Sequence, residues 1–278
     1  SRYLDTGGHY LDALCVHSAA LTAARHSGDR AAEAHTLTSL GSVDYRQGRY
    51  QRAAEHYQQA LTLAAEVGDR LSTVRARNSL GTVRWRQGRY QQAAGQFEQA
   101  LALSRQIGDR SGEARSLSNL GTVCWRQGRY RSAAEHYQQA LALSRQIGHR
   151  DGEAHALVNL GLLDERQGSH QRAVDHLERA IALSGEIGHR DRQAHGLLNL
   201  GGIYQRRGYH RSANDLQQRA LLLFREIGDG DGEAEALNGI GETLLAAGRP
   251  EAARTQHAAA LGLASQSGER YQQACAHD

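Results

Sequence analysis

The chain has 278 residues, of which 40% are hydrophobic but only 5% aromatic, and its formal net charge at pH 7 is +3. That is enough apolar material for a continuous core, yet no stretch approaches the ~18 apolar residues that a membrane helix requires, and no secretory signal pattern is present. All 33 basic residues are arginine and they interleave with 30 carboxylates, a balance that argues against a phosphate-tracking, nucleic-acid-binding surface.

The three cysteines, Cys15, Cys124 and Cys275, lie far apart and form no CxxC pair. This pattern predicts a reducing, cytoplasmic setting without a disulfide framework. Methionine is absent even from position 1, so the chain is expected to be a segment of a longer protein.

Taken in chain order, residues 1–30 form a partial repeat: positions 11–30 match the later second helices but lack a full first helix. Five full units follow, at 31–70, 71–110, 111–150, 151–190 and 191–230. Leu40-Gly41, Leu80-Gly81, Leu120-Gly121, Leu160-Gly161 and Leu200-Gly201 mark them at a period of 40. Ala60, Ala100, Ala140, Ala180 and Ala220 keep the same register.

In the third unit, Ala114, Leu117, Leu120 and Cys124 make one apolar stripe, predicting a first helix over 113–127. Gly128 ends it, where glycine takes a left-handed conformation cheaply. A second helix is predicted over 131–147, with Ala133, Tyr137, Ala140, Leu141 and Ser144 inward and Gly148 at its end. Asp29, Asp69 and Asp109 are placed to cap the first helices of their units. Gly121 and Ala133 lack bulk where the two helices would cross. Residues 231–270 form a degenerate capping unit: Leu245, Ala246 and Gly239 replace the residue types of the earlier repeats, and Pro250 sits in the first turn of a helix. Residues 271–278 are expected to start one more helix. The fold class is therefore all-α, a right-handed superhelical solenoid of stacked antiparallel helix pairs forming a single array over 1–278, since no unit can bury its stripe alone.

Leu-Gly, Gly-x-Tyr, and Ala, aromatic and Ala at fixed offsets resemble the tetratricopeptide repeat (TPR). The 40-residue form, closed by the run Ile107, Gly108, Asp109 and Arg110, is similar to Pins/LGN-type adaptors. Together with the lead-in from Tyr3 to Arg30, it also resembles the C-terminal repeat region of actinobacterial SARP/AfsR-type or NB-ARC (STAND) transcriptional regulators. The resemblance implies a module that binds a protein or an acidic, extended peptide, including an intramolecular segment of a full-length regulator. It could sense a ligand or drive homo-oligomerisation. A free-standing adaptor scaffold and a peptide-pheromone receptor are the competing readings.

Family geometry places certain first-helix positions on the inner wall. Carried over, these are the stripe Arg46, Arg86, Arg126, Arg166 and Arg206, and the preceding positions Tyr45, Trp85 and Trp125, continued by Glu165 and Gln205. Near the helix starts stand Arg75, Arg115, His155 and His195, with His35 and Glu235 at the same position. In the middle stand Asn119, Asn159 and Asn199. The two tryptophans read either as hot spots or as packing between first helices. The arginines read as a partner-binding row or as a solvated, internally paired face. The asparagines read as donors to a peptide backbone or as local helix bonds.

No cofactor is expected. The fifteen histidines show no HExxH, no His pair at i, i+4 and no zinc-type Cys/His spacing, so no metal site is expected. His56, His136 and His176 recur at one repeat position and read as a solvated face. No nucleophile–base constellation is present, and the chain is not expected to be an enzyme.

Overall fold

A computed structural model of the chain describes residues 10–275. Among them are thirteen α-helices and no strand: α1 Tyr10–Ser27, α2 Arg30–Arg46, α3 Tyr50–Glu66, α4 Arg70–Arg86, α5 Tyr90–Ile107, α6 Arg110–Arg126, α7 Tyr130–Gln146, α8 Arg150–Arg166, α9 His170–Glu186, α10 Arg190–Arg206, α11 His210–Ile227, α12 Gly230–Ala246 and α13 Pro250–Cys275. Residues 3–9 of the expected lead-in, and residues 276–278, lie outside the described residues.

The helices gather into two compact units, Ser1–Asn159 and Leu160–Asp278, dividing within α8. In the first unit α2 packs on α3, α4 on α5 and α6 on α7, and α3 and α5 pack on the first helices that follow them. Successive first helices α2, α4 and α6 also touch one another. The second unit repeats the scheme: α10 pairs with α11, α12 with α13, and α10 touches α12.

Local chemistry sets the helix ends. The Asp69 carboxylate accepts from the Ser72 backbone N–H at 3.0 Å, and Asp109 accepts from Gly112 at 2.9 Å, satisfying otherwise orphaned donors. Because the cap is Asp109, α6 begins at Arg110, three residues before the start predicted from the apolar stripe. Gly128, at φ 74°, reverses the chain between α6 and α7 as predicted.

The pairing inside a repeat rests on one small residue. A Cβ built on Gly121 would lie 2.5 Å from Tyr137 Cε1, and one on Gly81 would lie 2.5 Å from Phe97 Cε1. In these repeats the aromatic ring of the second helix therefore lies against the bare backbone of the first, and at Gly161 and Gly201 the same place is taken by Leu177 and Gln217. Tyr137, Ala133, Ala140, Leu117, Leu120 and Cys124 are all buried, as expected. Each fully buried leucine contributes roughly 1.5–3 kcal/mol.

Two features differ from expectation. His56 and His176 are not a solvated face. Their Nδ1 atoms lie 2.9 Å from the carboxylates of Asp44 and Asp164. Asp44 is wholly buried and also meets Arg49 Nε at 2.8 Å, and Arg172 closes on Asp164 at 3.2 Å. A buried carboxylate requires such partners, so these imidazoles serve as covers for aspartates on the neighbouring helix. At the other end, α13 runs unbroken through position 271 to Cys275, so residues 271–275 prolong it and begin no new helix. Leu261 on α13 is 69% exposed, whereas its repeat equivalent Leu141 is 8% exposed.

Candidate functional site

The carried-over positions all reach solvent. Arg46, Arg86, Arg126, Arg166 and Arg206 close their helices and are exposed, as are Arg75 and Arg115. Tyr45, Trp85, Trp125, Asn119, Asn159, Asn199, His155 and His195 are half-buried.

Stacking brings part of this set together. An arginine at the end of one first helix reaches back 41 residues to the ring beside the previous arginine. Arg86 Nε donates to the Tyr45 hydroxyl at 3.0 Å, and its guanidinium carbon lies 5.9 Å from the Tyr45 ring centre and 5.5 Å from that of Trp85. Arg126 lies 5.3 Å from the ring centres of both Trp85 and Trp125. Tyr45, Arg86, Trp85, Arg126 and Trp125 thus form a ladder of alternating cations and π-faces across α2, α4 and α6. Each such contact contributes ~0.5–1 kcal/mol where exposed and more where desolvated.

In the second unit the same 41-residue step meets a carboxylate. Arg206 Nη2 lies 3.2 Å from Glu165 Oε1, and Glu165 also holds His170 at 2.8 Å. For Arg206 the internal ion pair expected as an alternative is the arrangement found.

Beside the ladder lies a polar cluster that the sequence reading did not single out. Buried Asn78 donates to Ser116 Oγ at 3.0 Å, and Asn119 donates to Asn78 Oδ1 at 3.1 Å. One donor of Asn119 is therefore spent within the repeats, on a neighbouring repeat and not on its own helix. Arg77, also missed, donates to Gln96 Oε1 at 3.2 Å and to Gln99. In the second unit, His195 pairs with Asp191 at 3.3 Å and stacks edge-on against Phe224, with ring centres 4.9 Å apart.

Counted by repeat, the charge is not evenly interleaved. Residues 71–150 carry 13 arginines against 4 carboxylates, a net +9, while residues 151–270 carry 13 arginines against 17, a net −4. The mild overall balance conceals this division, and it places the excess positive charge on the repeats that carry both tryptophans.

No helix among the described residues is long and apolar enough to cross a membrane. No curated protein matches the chain. Among solved structures it is similar to the apo form of RapI, at 14% identity over 95% of this chain and 94% of that one, with a TM-score of 0.71. It is also similar to the Rap conjugation gene regulator of plasmid pLS20 in complex with the Phr* peptide, at 14% identity over 88% and 77%, TM-score 0.66. BtubC from P. vanneervenii matches at 20% identity over 81% and 92%, TM-score 0.64. At these identities the likeness is one of fold. The tetratricopeptide-repeat family model matches residues 32–106, 69–146, 112–186 and 192–266. With its helix pairs crossing at a repeated glycine, the chain belongs to the tetratricopeptide-repeat family.

Proposed function

We propose that the chain binds an acidic, extended protein segment along the ladder face of residues 71–150. The observation that carries this reading is the contrast between the two units: Arg86 and Arg126 lie over neutral rings, whereas Arg206 lies against Glu165. A guanidinium stacked on a ring keeps its charge and its outward N–H fork for a carboxylate. Charge-assisted hydrogen bonds contribute ~1.5–3 kcal/mol each, and several are needed to offset the ordering of an extended chain.

The test is binding of short peptides graded in Asp and Glu content, followed by fluorescence polarisation. Acidic peptides bind wild type, and Arg86→Glu with Arg126→Glu abolishes that binding while leaving the helical signal intact. Selection indifferent to peptide charge overturns the reading. Competition by single-stranded nucleic acid at physiological salt would assign the positive face to phosphate instead.

The wider setting we infer is a sensing or oligomerising arm of a larger cytoplasmic transcriptional regulator, supported by the resemblance noted in the sequence. The coding sequence flanking this segment tests it: a nucleotide-binding switch or DNA-binding domain is expected there, and neither being encoded favours an adaptor. A peptide receptor is the second reading, favoured by the fold likeness to a Rap regulator solved with a peptide.

A further inference from the structure

Three side chains that the sequence scatters over nearly forty residues converge where the start of the fifth full unit meets the turn into the capping unit. Asp191 and His195 stand one turn apart on α10. Asp229 precedes α12, which packs beside α10. Their ligand-type atoms all lie within 4.8 Å of one another. We propose that Asp191, His195 and Asp229 form a binding site for a divalent transition-metal ion of the zinc class.

Helix capping explains only part of this arrangement. Asp229 Oδ1 accepts from the Gly232 N–H at 3.0 Å, the ordinary work of an N-cap, and that leaves Oδ2 available. Capping gives no reason for an imidazole to face the same spot. The His195 ring is held edge-on by Phe224, which is fully buried, so its orientation is set by packing on α11 as well as by Asp191.

Asp191 and Asp229 would meet a bound cation with two carboxylates on one side and the His195 imidazole between them.

The donor set selects the metal. One imidazole with two carboxylates suits zinc-class ions, whereas magnesium and calcium favour all-oxygen sites. Bonds of ~2.1 Å at the tetrahedral angle place ligand atoms about 3.4 Å apart. The His195 Nε2 and Asp191 Oδ1 atoms already stand at 3.3 Å, and a carboxylate oxygen of Asp229 lies within 4.8 Å of both. The fourth position falls to water.

At the same three repeat positions the earlier units carry Ala31, His35 and Asp69; Leu71, Arg75 and Asp109; Ser111, Arg115 and His149; and Asp151, His155 and His189. The last set is also of ligand type, but among the described residues Asp191, His195 and Asp229 are the group whose three ligand atoms come within 4.8 Å of one another. Bound metal would clip α10 to the turn before α12 and would withdraw His195 from any role in holding a peptide. This inference does not depend on the proposed function.

The test is calorimetry of the tag-free full chain with Zn²⁺ alone, repeated with Co²⁺ so that the visible spectrum reports coordination, and with Mg²⁺. The variants are His195→Ala and Asp229→Asn, the second of which retains the helix cap because asparagine caps as well as aspartate. Wild type is expected to bind Zn²⁺ and to gain thermal stability from it. Each variant should lose one molar equivalent, or bind it at least about tenfold more weakly, with its helical signal unchanged. Absence of Zn²⁺ binding by wild type overturns the proposal. So does unchanged stoichiometry and affinity in both variants, which would assign the metal to other histidines, such as His155 or His189. Mg²⁺ binding as tight as that of Zn²⁺ overturns the assignment of metal class.

Discussion

Arg86 Nε donates to the Tyr45 hydroxyl at 3.0 Å across 41 residues of sequence, so the last side chain of one first helix is secured by the repeat before it. The ladder built on this step contains the only two tryptophans of the chain. Intrinsic tryptophan fluorescence therefore reports on it directly. Arg126 lies over both indoles and Arg86 over one. Arg126→Ala should shift the emission further to the red than Arg86→Ala. Equal shifts would show that the arginines do not cover the rings in solution.

Gly121→Ala puts a methyl group where Tyr137 Cε1 stands 2.5 Å away. Overpacking of this kind costs ~1–3 kcal/mol, read as a lower midpoint in chemical denaturation. In a Tyr137→Ala background the same substitution should cost much less, since the ring it strikes is gone. Hydrogen-exchange protection should fall first in α6, α7 and the adjoining helices, because repeat arrays couple through nearest neighbours. Uniform loss along the chain would contradict that.

Asp44→Ala leaves Arg49, itself nine-tenths buried, without its counter-ion. Breaking a buried pair from one side costs ~3–5 kcal/mol. Glu66→Ala removes a pairing with Arg30 in which both side chains are about half exposed, and such pairs are worth ~0–1 kcal/mol. Thermal unfolding of the two variants should rank them in that order, and equal shifts would rule out the burial argument.

Asp69 gives a pH dependence with a definite sign. Hydrogen bonds from the Ser72 side chain and backbone hold its carboxyl below the ordinary value of 3.8. Its folded pKa is depressed, so its contribution is fully present above 3.8 and is lost as pH falls through the lower folded value. Asp69→Ala should cost ~0.5–2 kcal/mol near neutrality and progressively less in acid. Asp69→Asn, whose amide oxygen caps without titrating, should lose less stability on acidification than wild type. Unfolding curves at several acid pH values distinguish the three.

The regular part of the structure was open to reading because every repeat states it again: Gly121 and Gly128 recur with the period in all six units, the Asp109 cap recurs at Asp29, Asp69 and Asp229, and each has a local physical role. What required the fold was whatever links one repeat to another. No pattern of spacing announces that Arg86 steps back to Tyr45, or that Asn119 spends a donor on Asn78. The histidine at the position of His56 was misread because its partner, Asp44, recurs only at Asp164, where His176 covers it. Asp229 reads as a cap in isolation, and only the packing of α12 beside α10 brings it to His195. Trp85 and Trp125 are both half-buried, and Trp85 packs against Leu120 and Val123 of the next first helix, so both readings stay open for the pair.

The 41-residue step also bears on how such a chain could change over generations. Each rung is made by side chains from two consecutive repeats, and the turn geometry is the same at every boundary. Loss of one 40-residue module, residues 71–110, would bring Arg126 into the position of Arg86, opposite Tyr45, with Trp125 in the place of Trp85. The ladder would be one rung shorter and still continuous. Gain or loss of whole repeats would in this way alter the length and charge of the face in increments of one rung, each repeat still meeting neighbours of its own kind.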